Sequence, residues 1–221
     1  MDTVTIRHAI NSAKQHEKNT GQLARLLEAR TGGLHHAIQL PEEHVVPVLL
    51  NFITHYIDHV PEFVDAVDAI ATDAGLDVYT EPVMAVAADF FAQPPELLNG
   101  HSGLTALMDE AYLAHRLIEE VNDRFMASSG LPLVPMDMTR SNLIIHHLIS
   151  EPFANQLDQA VHLIVNHLAY TEDLFSSDAL VQHLSKTRTN WAKELKKWPC
   201  LMDSMAIQLT LRNANPRMVF H

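Results

Sequence analysis

Leu104, Leu107, Ala111, Ala114, Ile118, Val121 and Phe125 follow one another at spacings of three and four. That is the period of one helix face, and it predicts an amphipathic helix over 103–128. Arg116, Glu120, Asp123 and Arg124 fall largely off this stripe. Two other stretches lack such a division. Residues 142–149 and 160–169 are apolar nearly all round, a pattern expected of helices at the centre of a bundle or in a subunit interface.

Helix starts are marked by proline beside glutamate at Pro41-Glu42, Pro61-Glu62, Glu81-Pro82, Pro95-Glu96 and Glu151-Pro152. Proline suits a first turn because its missing N–H would be unpaired there, and a carboxylate there complements the helix dipole. Thr80 and Ser150 stand ready as N-caps before two of these signals. The punctuation predicts helices over 3–30 with a break near Gly21, then 42–59, 61–74, 81–92, 103–128, 139–149, 151–174 and 178–197. A short helix is expected at 199–212. Residues 128–135 form the clearest loop, too short and apolar for a domain linker. No internal repeat is visible.

Composition agrees with this division. At 47% hydrophobic and with only 7 glycines, the 221 residues suffice for a large core and favour helix over sheet. The expected fold is all-α: a compact single-domain helical bundle of about seven to nine helices spanning residues 1–221.

Charge adds a polarity along the chain. The net charge is −12, but residues 31–185 alone carry −19, against +2 for 1–30 and +5 for 186–221. An acidic body repels phosphate, so nucleic acid is not an expected partner. The basic segment 186–221, including Lys186, Arg188, Lys193, Lys196 and Lys197, is expected to pack on that body. The longest apolar runs are too short and too rich in His and Asn to span a bilayer, so no membrane association is expected. No signal-peptide-like run opens the chain and Cys200 is the single cysteine, which points to a cytoplasmic protein without disulfides.

Candidate chemistry rests on 15 histidines. No P-loop, Gly-x-Gly-x-x-Gly or Gly-x-Ser-x-Gly pattern occurs. His and carboxylate three or four residues apart share a helix face and reach one ion. The pairs are His55 with His59, His115 with Glu119, and His147 with Glu151; His162 adds an imidazole on an apolar helix. His115, Glu119, His55, His59, His147 and His162 are therefore the candidate metal ligands, with iron or another divalent metal as the expected cofactor. Ordinary roles compete: His55, His59, His146 and His147 fall near expected helix ends, where a protonated ring complements the dipole, and Asn166 is placed to satisfy a core His162. The Glu-x-x-His signature of ferritin-like di-iron proteins is absent.

Three functions fit these features. One is a non-haem, di-iron-like metal-binding oxidoreductase. Another is a non-catalytic homodimeric interaction or structural protein, joined through the apolar helices 139–149 or 151–174. The third is a haem-oxygenase-like bundle that binds a small molecule in a pocket of scattered residues.

Overall fold

The computed structural model describes residues 3–74, 77–130, 137–171 and 207–209. Among them the chain forms seven α-helices: α1 (Val4–Thr20), α2 (Gln22–Arg30), α3 (Val45–Ala74), α4 (Asp77–Ala92), α5 (Gly103–Ser129), α6 (Thr139–Ile149) and α7 (Glu151–Thr171). The expected all-α bundle is what the chain builds. The small exception is an antiparallel pairing of two-residue strands, β1 (Ile38–Gln39) with β2 (Gln208–Leu209). No helix among the described residues is long and apolar enough to cross a membrane.

The break near Gly21 is real and has a local cause. Gly21 ends α1 at φ 60°, a left-handed conformation that glycine adopts without a Cβ clash. The Glu17 carboxylate then accepts from the backbone N–H groups of Leu23 and Ala24 at 2.8 and 3.0 Å. It thereby satisfies the free donors at the start of α2 from the end of α1.

Pro61 does not end a helix. Residues 42–59 and 61–74 were expected as separate helices, but α3 runs unbroken through buried Pro61. The reason is an uninterrupted apolar stripe: Leu49, Phe52, Ile53, Tyr56, Ile57, Val60, Phe63, Val64, Val67 and Ala71 are all buried. A proline in a helix interior costs about 3 kcal/mol. Burial of Phe63, Val64 and Val67 contributes about 1.5–3 kcal/mol each, which outweighs it. Similarly, α4 starts at Asp77 and not at 81, so Thr80 is a buried residue inside the helix and not its cap. The predicted helices over 178–197 and 199–212 lie outside the described residues, except that Gln208–Leu209 are strand where helix was expected. The basic residues Lys186 to Lys197 also lie outside them, while Ile207 is buried in the core.

Helix α5 is the hub, packed against α1, α3, α4, α6 and α7. Its Leu104, Met108, Ala111, Tyr112, Leu113, Ala114, Leu117, Ile118, Val121 and Phe125 are buried, and so are Thr105, Asp109, Glu110, His115 and Asn122. The helices that looked apolar all round are one-sided instead. α7 buries Ala154, Leu157, Val161, Val165 and Leu168 but exposes His162, Leu163, Asn166 and His167. Between α6 and α7 the chain turns at Ser150, φ 104°. Arg30 of α2 donates to the carbonyls of Leu148 and Ile149 and so holds the last turn of α6 against α2.

Candidate functional site

Two polar constellations meet on α5, on opposite sides of adjacent residues. His115 faces inward. It is fully buried, and its Nε2 lies 3.2 Å from Nδ1 of His59 on α3. The two rings share one hydrogen, so one nitrogen donates and the other accepts. Tyr56 and Phe63 pack on the His115 ring at centroid distances of 4.2 and 5.4 Å. Burial lowers the His59 pKa to about 4. Burial, and then the neighbouring His59, push His115 well below the usual imidazole range. Its Nδ1 makes no hydrogen bond among the described residues, although the Ala111 carbonyl one turn back favours a proton there.

Arg116 faces the other way, into a cleft of about 320 Å³ between α5, α6 and α7. Its Nε donates to Asp158 Oδ1 at 2.9 Å and its NH1 to Glu119 Oε2 at 2.5 Å. Tyr112 donates its hydroxyl to the same Asp158 oxygen at 3.0 Å. Asn142 of α6 donates its amide to Glu119 Oε2 at 2.6 Å and accepts from the Tyr56 hydroxyl at 2.6 Å. The network therefore runs from the core to the cleft wall. Tyr112, Arg116 and Glu119 stand at spacings of four and three, which puts them on one face of α5.

Burial works against the Arg116 charge, but Asp158 and Glu119 outweigh it and hold the guanidinium more firmly protonated than usual. Burial also raises the Tyr56 and Tyr112 hydroxyls, and the cleft carboxylates add to this, so both phenols stay protonated donors. Thr139, Leu143, His146, His147 and Glu151 complete the described lining. Burial, then His146 and His35, lower the His147 pKa, opposed by Glu151.

The six residues proposed from sequence are thus dispersed. His59 and His115 meet. Glu119, one turn from His115, is committed to Arg116 and Asn142 in the cleft. His55 is exposed, with Nδ1 2.8 Å from its own helix's Asn51 carbonyl. His147 lines the cleft and stacks on His35 at 5.5 Å; the break at Ser150 separates it from Glu151. His162 is exposed beside Arg124 and Glu120, not a core histidine, and Asn166 accepts from Arg124. Among the described residues no group of three or more His, Cys, Asp or Glu is placed to hold a metal ion. Tyr56, Tyr112, Asn142 and Asp158 were not among the residues expected from sequence; the polar row at 112, 116 and 119 was the signal for Tyr112.

No family model matches the chain, and neither a curated protein nor a solved structure is significantly similar to it.

Proposed function

We propose that this bundle binds a small polar molecule carrying a protonated amine, held in the cleft between α5, α6 and α7. One observation carries the reading: among its described lining residues the cleft has three carboxylates and one arginine. Arg116 stands against Glu119, Asp158 and Glu151 among the described lining residues. It engages one oxygen each of Glu119 and Asp158. Glu119 Oε1 accepts no hydrogen bond among the described residues, and Asp158 Oδ2 has only His146 Nε2 at 3.9 Å. A charge-assisted N–H from a ligand amine would complete both carboxylates, and the Tyr112 ring offers an apolar wall.

The test is a thermal-shift and calorimetric screen of small amines against matched alcohols and carboxylates. Amines are expected to bind selectively and to lose at least about tenfold in affinity in Glu119→Gln and Asp158→Asn, each of which removes one charge-assisted bond. Absence of any amine preference, or binding that survives both substitutions, overturns the reading.

A second reading, a metal-dependent bundle, is favoured by the His59–His115 distance. Two imidazole nitrogens on one tetrahedral ion, each about 2.0–2.1 Å from it, stand about 3.3 Å apart. Desolvated, neutral imidazoles are the form a metal needs. Elemental analysis of untagged protein after incubation with iron, manganese and zinc decides it. Stoichiometric metal lost in His115→Ala and His59→Ala would favour this reading over the first.

A further inference from the structure

A second cavity of about 370 Å³ opens between α2 and the loop that leads into α5, and its chemistry is the reverse of the cleft's. Its described lining is Gln22, Arg25, Leu26, Arg30, Gly100, His101 and Thr105, with two guanidinium groups and no carboxylate. In a chain of net charge −12, two arginines without a carboxylate partner among the described residues are unusual. Arg25 donates NH1 to the Thr20 carbonyl at 2.6 Å, and Arg30 uses NH1 for the carbonyls of Leu148 and Ile149. Both keep further N–H donors.

Beneath the cavity wall lies Asp109, fully buried, whose Oδ2 contacts Nδ1 of His101 and whose Oδ1 has no hydrogen-bond partner among the described residues. A carboxylate with one oxygen orphaned in the core is costly as an anion. Burial raises the Asp109 pKa, against the opposing pull of His101 and Arg30. The Asp109 contact occupies Nδ1, which leaves Nε2 as the ring nitrogen open to a cavity ligand. His101, with its side chain 38% exposed, then presents Nε2 to the cavity beside the two arginines, as a donor when that nitrogen carries the hydrogen. Thr105 adds a hydroxyl that makes no hydrogen bond elsewhere among the described residues.

We propose that this cavity is a binding site for the phosphate group of a small organic phosphate monoester. Arg25, Arg30, His101 and Thr105 supply the donors, and Asp109 positions the imidazole. Arginine's planar fork matches phosphate oxygens. A carboxylate would use fewer of these donors. The volume is about a dozen times that of a water molecule, which leaves room for an organic remainder beyond the phosphate. The site shares no lining residue with the amine cleft, so each stands or falls alone.

Calorimetry at low ionic strength with inorganic phosphate, a sugar phosphate and acetate tests the proposal, with helix content of each variant checked by circular dichroism. The sugar phosphate is expected to bind more tightly than inorganic phosphate, and acetate at least about tenfold more weakly than either. Arg25→Gln, at an exposed position, should weaken phosphate binding about tenfold or more while leaving the fold intact. Arg30→Lys, which keeps a donor for the α6 carbonyls, should do so as well. No heat from either phosphate at concentrations well above about 1 mM overturns the proposal. Equal binding by wild type and both variants does the same.

Discussion

His115 and Arg116 are neighbours on one helix, and the protein treats their charges in opposite ways. His115 enters the core against Tyr56, Phe63 and His59, and burial strips it of its charge. Arg116 turns toward the cleft and keeps its charge because Asp158 and Glu119 meet it there. The difference shows what a low-dielectric interior demands: a polar group is either made neutral or paired. It also separates two kinds of fragility, one set by partners and one set by pH.

The sharpest way to break the contrast is to remove the partner. Arg116→Met would leave Glu119 and Asp158, both less than a third exposed, facing each other without a cation. A loss of about 3 kcal/mol in denaturant unfolding is expected. A loss below about 1 kcal/mol would mean that the network is no more than a surface ion pair.

On the histidine side the variable is pH. The His59 pKa is lowered to about 4 in the folded chain, from an ordinary value of about 6.5. The unfolded chain therefore binds more protons between these values, and stability is lost as pH falls from about 6.5 to 4. The drop should be on the order of 2–3 kcal/mol, and His59→Phe should flatten it. An unchanged acid slope in the variant would assign the proton uptake elsewhere.

A buried acid on the same helix sharpens the comparison by reversing its sign. Burial, and then Asp109, raise the Glu110 pKa to about 7. The folded chain holds the extra proton here, so stability is full below about 4.5 and falls as pH rises through 7. Glu110→Gln should therefore stabilise the protein at pH 8, by on the order of 2 kcal/mol, and change little at pH 4. Equal effects at both pH values would show that Glu110 is not a linked group.

The smallest effect is expected at His162, where the ring is exposed beside Arg124 and Glu120. His162→Ala should change stability by less than about 0.5 kcal/mol. A larger loss would show that the outer face of α7 carries more of the structure than its exposure implies.

Much of the fold was legible in order along the chain. Gly21 marked a helix break, and 103–128, 139–149 and the start of the helix at 151 were read to within a residue. These are local signals: a left-handed glycine, a 3.6-residue period and a proline in a first turn. The same local signals misled at Pro61 and Pro82, where each proline sits inside a helix that packing holds together. Residues 208 and 209 were read as helix because nothing local shows that they pair with Ile38 and Gln39. The candidate site was less legible. Of the histidines and carboxylate proposed as one centre, only His59 and His115 come together, because same-face spacing on one helix says nothing about what the facing helix brings.

The helical class and most helix ends are therefore local outcomes, since they depend on residues within a turn or two of each other. Tertiary structure alone decided which helix lies at the centre. The apolar look of 142–149 and 160–169 suggested those segments, yet the centre is the more polar α5, packed against α1, α3, α4, α6 and α7. A helix with charged residues can occupy that place because partners reach it there: His59 meets His115, Asp158 and Glu119 meet Arg116, and His101 meets Asp109. Each partner but Glu119 is distant in sequence or lies outside the helix, so the burial energetics of α5 became fixed only when the chain closed around it.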